Sequence, residues 1–214
     1  MKYIVKRPEP ASFAAWKVAK RHQPDLNYNH LVGALKQDVK EALMDEQGYI
    51  CCYCERRIQN NNAHIEHFRP QSDPETDSLD YSNMLCSCQR TLKKGAPRHC
   101  GNLKSYWYDE ELLVSPLDPD CEERFLYHAD GRIKAADRHD ASAWETIEHL
   151  GLGISKLNDL RAKAIEPFLD EDLSPEELDT FVTAYLKPNR AGKYGEFWTT
   201  IRYLFGDPEK SYEP

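Results

Sequence analysis

The sequence predicts an α+β protein, mostly helical, in which a small cysteine-stapled core is embedded in a helical scaffold. Three observations predict this. Apolar residues recur at helical spacing on both sides of an irregular middle block, six of the seven cysteines fall inside that block, and the charge divides along the same boundaries. With 214 residues, 40% hydrophobic and 30% charged, the chain has the size of one globular unit able to bury a core. It divides into an N-terminal helical segment (1–47), the cysteine block (48–108) and a hairpin plus acidic helical region (109–214), expected to pack as one compact unit.

The elements follow in order. Phe13, Trp16 and Ala19 or Lys20 share one side of a helix expected over 12–21. Leu31, Leu35, Val39 and Ala42 or Leu43 predict a second over 29–47, with Gly48 as its stop. Phe125-Leu126-Tyr127 and Arg132-Ile133-Lys134 flank Ala129-Asp130-Gly131, a β-hairpin around a turn. Helices are expected over 142–150, 155–168 and 193–205. The clearest start is at Ser174. Pro175 suits the first helical position, Ser174 and Glu177 form a capping box, and Leu173 and Leu178 a hydrophobic staple, with the helix running to about 187 ahead of Pro188.

Charge and cysteines bound the chemistry. No apolar run approaches the roughly 20 residues that cross a bilayer, and Lys2, Lys6 and Arg7 are followed by no apolar h-region. Membrane and secretory readings drop out, and a cytoplasmic location is expected. Seven cysteines in such a chain argue for metal ligands or a reactive thiol rather than a disulfide framework. The formal charge of −8 is a sum of +2 over 1–50, +2 over 51–108 and −12 over 109–214. Between Met84 and Tyr108 there are Arg90, Lys93, Lys94, Arg98 and Lys104 and no Asp or Glu, so a basic loop beside the cysteines can meet phosphate while the acidic half cannot.

Cys51 and Cys54 form a Cys-x-x-Cys knuckle, the spacing at which two thiolates on a tight turn reach one tetrahedral zinc. A redox dithiol would be the other use of this spacing, but no βαβ context follows it. The second pair of ligands comes from Cys86, Cys88 and Cys100, with His99 as a fallback; Cys52 and Cys121 read as incidental buried thiols. Between the two cysteine groups lies His64-Ile65-Glu66-His67-Phe68-Arg69-Pro70. In an extended segment His64 and Glu66 share one face and His67 lies on the other, so a twist or strand end is needed for Glu66 and His67 to converge. The hard oxygen of Glu66 suits Mg²⁺ or Mn²⁺, and a neutral histidine can take a proton from water.

These residues carry a family resemblance. Gly48-Tyr49-Ile50-Cys51-Cys52-Tyr53-Cys54-Glu55, His64 to Pro70, Asp80-Tyr81-Ser82-Asn83-Met84-Leu85-Cys86-Ser87-Cys88 and His99-Cys100-Gly101-Asn102-Leu103-Lys104 together resemble an HNH (ββα-metal) endonuclease core. More narrowly, Glu55-Arg56-Arg57, the His64 to Pro70 run, Ser115-Pro116-Leu117 and Glu145-Thr146-Ile147 with Leu150-Gly151-Leu152 resemble the PtuB-type HNH effector nucleases of Septu and related retron antiphage systems. The five-residue offset from Asn83 to Cys88 matches the family, which selects Cys88 over Cys86 and implies zinc at Cys51, Cys54, Cys88 and Cys100.

The resemblance further implies that His67 activates water, that Glu66 ligates one catalytic Mg²⁺ or Mn²⁺ with Asn102 or His64 completing the protein ligands, and that Asn83 ties the turn between strands and orients His67. The sequence departs from the family in two places: eleven residues separate Cys88 from Cys100, and Gly101 stands where Asn usually follows the last cysteine. Arg69, Arg90, Lys93, Lys94, Arg98 and Lys104 are the candidate DNA phosphate contacts. By the same resemblance the protein is a bacterial DNA endonuclease of antiphage defence. Its partners would be an SMC/Rad50-like ABC ATPase (PtuA-type) and, in a retron, a reverse transcriptase and its DNA. The rival readings are a nuclease-dead zinc-stapled module that binds DNA or protein, and a nuclease acting on RNA.

Overall fold

The structure is a computed structural model that describes residues 1–92 and 94–206. Its N-terminal segment holds α1 (Ala11–Lys20) and α2 (Gly33–Glu46). Phe13 is buried and stacks on Trp16, as helical spacing requires. α2 starts four residues later than the periodicity suggests. The Asn27 side chain accepts a hydrogen bond from the Asn29 amide and closes a separate 3₁₀ turn over Tyr28–His30, after which Leu31 and Val32 are extended. The expected stop holds: Gly48 lies at φ +61°, and a Cβ there would come within 2.1 Å of the Tyr194 ring.

The centre is a two-stranded antiparallel sheet, β1 (His64–His67) and β2 (Met84–Ser87), followed by the short helix α3 (Gly101–Lys104). His64 pairs with Ser87 and His67 with Met84. Both strands are largely buried, and α2, whose Val39, Leu43 and Met44 are buried, packs across them.

Downstream, β3 (Phe125–Tyr127) and β4 (Ile133–Ala135) form the expected hairpin. α4 (Ala141–His149) is capped by Asp140, whose carboxylate also pairs with Arg124. α5 (Ser155–Ile165) tightens into a 3₁₀ turn over Glu166–Phe168, where Pro167 has no N–H to continue the α ladder. α6 (Pro175–Leu186) starts on the expected capping box, Ser174 and Glu177 exchanging hydrogen bonds. α7 (Trp198–Phe205) corrects the expectation of a helix from 193. The preceding arm is not helical because its polar groups serve the cysteine knuckle: Tyr194 N donates to Gly48 O, Phe197 N to Glu55 O, and Glu196 Oε1 accepts from Arg57 N. Phe197 enters α7 at φ +52°. Among the described residues two apolar clusters result, a main core spanning the N-terminal, central and hairpin elements, and a smaller one of Ile165, Phe168, Val182, Ile201 and Leu204. No helix among the described residues is long and apolar enough to cross a membrane.

Candidate active site and metal centre

The knuckle is built by local hydrogen bonds. Cys51 N donates to Arg56 O, Glu55 N to Cys51 O, and Glu55 takes a left-handed conformation that closes the turn. Cys52 N donates to Cys86 O, docking the knuckle on β2 and bringing Cys51 and Cys54 to the strand end from which Cys88 emerges. Ser87 Oγ accepts from Gly101 N, fastening the start of α3 and therefore Cys100 to the same place.

The Sγ atoms of Cys51, Cys54, Cys88 and Cys100 all lie within 4.8 Å of one another and are buried. Cys54 and Cys88 are 3.7 Å apart, close to the edge of about 3.8 Å expected of a tetrahedron with 2.3 Å zinc–sulfur bonds. The donor set can therefore hold zinc. Burial alone would push the Cys51 thiol up, but hydrogen bonds from Cys100, Cys52, Cys54 and Cys88 hold it well below the ordinary thiol range. Cys86 points away, its Sγ 3.9 Å from Lys40 O, and burial pushes its thiol strongly up. Cys52 and Cys121 are buried outside the cluster. His99 stands behind the sulfurs, Nδ1 3.1 Å from Cys100 Sγ and 3.8 Å from Cys88 Sγ; burial holds it at about 4, so a neutral ring faces them.

Strand alternation places His64 and Glu66 side by side, His64 Nε2 3.4 Å from Glu66 Oε2. Gly101 covers this pair: a Cβ on it would sit 2.2 Å from Glu66 Oε2 and 3.0 Å from His64 Nε2. The other oxygen, Oε1, is 3.2 Å from both Tyr53 Oη and Lys104 Nζ. Burial opposes ionisation of Glu66, but the His64 hydrogen bond and the Lys104 charge outweigh it and hold its carboxyl below the usual range.

His67 takes the opposite side. Its Nε2 is 2.9 Å from Ser78 O, its Nδ1 is 3.1 Å from Gln71 Nε2, and Tyr28 meets the ring edge-on. A carbonyl only accepts, so Nε2 carries the proton and the Nδ1 lone pair accepts from the Gln71 amide. Burial lowers the pKa of His67, which favours the neutral ring. The side chains of Glu66 and His67 do not converge as a twisted strand end would have them do; what joins the two residues is the Lys104 ammonium, which bridges Glu66 Oε1 and the backbone carbonyl of His67. Asn83 joins the two strand ends: its amide exchanges hydrogen bonds with Arg69 N and O at 2.8 and 2.9 Å, one residue beyond the Phe68 N bond to Asn83 O.

Asn102 departs from its expected place as a cation ligand. Its amide donates to Gln89 O inside the basic loop, and His64 stands beside Glu66 instead. One residue along a helix turns the side chain by about 100°, so with Gly101 over the pair Asn102 faces elsewhere. The candidate phosphate contacts also separate. Arg90, Lys94 and Arg98 are exposed, and Lys93 lies outside the described residues. Arg69 is paired with Asp73 and Glu75 and lies over the Tyr108 ring. Lys104 is a correction: its side chain is 1% exposed and cannot meet DNA. Tyr53, Gln71 and Ser78 were not foreseen. Tyr53 lies between the knuckle cysteines and Gln71 four residues after His67, but no sequence pattern marks either as a neighbour of the site.

No family model matches the chain. It is 30% identical to the "Retron Vc95 putative HNH endonuclease" of Vibrio cholerae serotype O1 biovar El Tor, over 64% of this chain and 68% of that protein. It is 26% identical to the "Retron Ec83 putative HNH endonuclease" of Escherichia coli, over 65% and 69% respectively. With its four-cysteine cluster set at the end of the strand pair that carries His-x-Glu-His, and with 30% identity across more than two thirds of a relative of that name, the chain belongs to the HNH endonuclease family.

Proposed function

We propose that this protein is a metal-dependent HNH endonuclease that hydrolyses DNA phosphodiester bonds as the effector of a retron-type antiphage system. The observation that carries the reading is the β1–β2–α3 unit itself. It joins a four-cysteine centre to a Glu66–His64 pair of donor types that suit a cation and to a neutral His67 whose Nδ1 lone pair is held by the Gln71 amide. In the mechanism, His67 Nδ1 takes a proton from water as the water oxygen bonds to phosphorus, and the P–O bond to the leaving 3′ oxygen breaks. Ser78 O fixes the tautomer that makes Nδ1 the base, and Gln71 must leave Nδ1 for water to reach it.

His64 Nε2, once it gives up the proton it shares with Glu66, and Glu66 Oε2 suit a Mg²⁺ or Mn²⁺ ion: adjacent ligands of an octahedral ion with bonds of about 2.1 Å stand about 3 Å apart, and such ions keep several waters. Bound there, the ion would neutralise the scissile phosphate and stabilise the leaving oxygen. Gly101→Ala should displace Glu66 and reduce cleavage by about 10- to 100-fold with zinc retained; unchanged cleavage would argue against a site at this pair.

Arg90, Lys94 and Arg98 would meet phosphates, positioning the backbone without reading sequence. Neutralising all three should weaken binding alike on every sequence and flatten the slope of log affinity against log salt by about 2 to 3, measured by fluorescence anisotropy from 50 to 300 mM salt, roughly the range where such slopes are read.

An acidic helical half suits delivery by a partner better than an independent grip on DNA. Asp170, Glu171, Asp172, Glu176 and Glu177 are all exposed. The partner in this reading is an SMC/Rad50-like ABC ATPase of the PtuA type, with a retron reverse transcriptase and its DNA as further components; an SMC-like gene beside this one supports it and a methyltransferase gene opposes it. The functional test is incubation of the protein, alone and with that ATPase, with plasmid DNA and matched RNA in Mg²⁺ or Mn²⁺. DNA cleavage is expected. Cleavage of RNA alone, or of neither substrate, would overturn the proposal.

A further inference from the structure

Lys104 sits where a lysine is costly. Its ammonium is buried, 3.2 Å from Glu66 Oε1 and 3.1 Å from the His67 carbonyl, and the Tyr53 hydroxyl shares the same carboxylate oxygen. A buried carboxylate needs a counter-charge, and Lys104 supplies one from within the fold. Two consequences follow. First, Oε1 is held by two donors, so Oε2, which lies beside His64 and under Gly101, is the oxygen left to an ion. Second, a divalent cation arriving at Oε2 meets a fixed positive charge a few ångströms away, with no phosphate yet present to offset it.

We propose that Lys104 is a positioning residue that limits Glu66 to one free oxygen and keeps cation affinity low until the substrate phosphate adds its negative charge. The inference rests on the reading of Glu66 and His64 as cation ligands. It gives the buried pair a use beyond packing: the fold stands without the catalytic ion, and ion and substrate assemble together. A simple structural role for Lys104 makes the opposite prediction, since removing it should then weaken cation binding.

The test is a Mn²⁺ titration followed by electron paramagnetic resonance on the full chain loaded with zinc, without DNA. Wild-type protein should bind Mn²⁺ weakly, with a Kd above about 0.1 mM. Lys104→Met and Lys104→Gln should each bind at least about tenfold more tightly, the scale of one short-range charge interaction discounted for solvent. Both should also accept Ca²⁺ in competition, because Glu66 can then offer both oxygens. Lys104→Arg should restore weak binding. Zinc content and melting curves identify the folded variants. Affinity that is unchanged or weaker in the folded variants overturns the proposal, and so does micromolar Mn²⁺ binding by wild-type protein, which needs no variant to fold. If Glu66→Gln leaves wild-type Mn²⁺ binding intact, the ion is held elsewhere, and it is the assignment of the cation ligands that fails.

Discussion

Replacement of His67 by alanine is expected to remove at least about 10³-fold of the DNA cleavage rate, within the range a positioned general base contributes. The geometry explains why no neighbour should substitute. His64 faces Glu66, and His99 stands behind the thiols, so neither imidazole lies with His67 between Ser78 and Gln71. The substitution also strands the Ser78 carbonyl and opens a void beside Tyr28, at a cost of about 1–3 kcal/mol of stability. Zinc content should be unaffected, because His67 touches none of the four cysteines. Rates would be compared on plasmid DNA at equal zinc loading, and cleavage that survives in His67→Ala would sink the assigned base. His67→Asn, which leaves a smaller void, should be equally inactive and closer to wild type in melting temperature.

The second large effect is on folding. Cys88→Ala is expected to lose zinc and to unfold or aggregate at 37 °C, since structural zinc contributes on the order of 10 kcal/mol to small domains and one missing thiolate opens the site. Cys86→Ala, one pleat away on β2, should retain a full equivalent of zinc and lose about 1–2 kcal/mol from its packing against α2. Elemental analysis and thermal melting of the two variants decide the matter. Zinc lost only from Cys86→Ala would refute the ligand set, however well the four sulfurs are grouped. The predicted dependence goes beyond the hairpin, because the knuckle also anchors the arm before α7 through Gly48, Glu55 and Arg57.

What was legible in the sequence was mostly local. The capping box at Ser174, the stop at Gly48, the turn between β3 and β4 and the Cys-x-x-Cys knuckle each depend on residues a few positions apart. The start of α7 is not legible in the sequence because apolar periodicity continues back to 193, while the backbone there bonds to a knuckle some 140 residues earlier. The start of α2 is not legible either, because a single asparagine, Asn27, diverts the chain into a 3₁₀ turn.

The candidate site divides in the same way. From the sequence alone came the cysteines, the His64 to His67 strand with His64 and Glu66 on one face, and a charge of −8 that conceals a basic core beside an acidic half. Tertiary structure decided the rest. Docking of the knuckle on β2 set Cys88 in the cluster and turned Cys86 out of it. The register of α3 put Gly101 over the Glu66–His64 pair, sent Asn102 into the basic loop and buried Lys104 as the counter-ion of Glu66. Composition could assign Lys104 only to the surface, where most lysines lie. A carboxylate and an ammonium 38 positions apart become partners only when the fold takes both from water, and the cost of burying either alone selects the pairing.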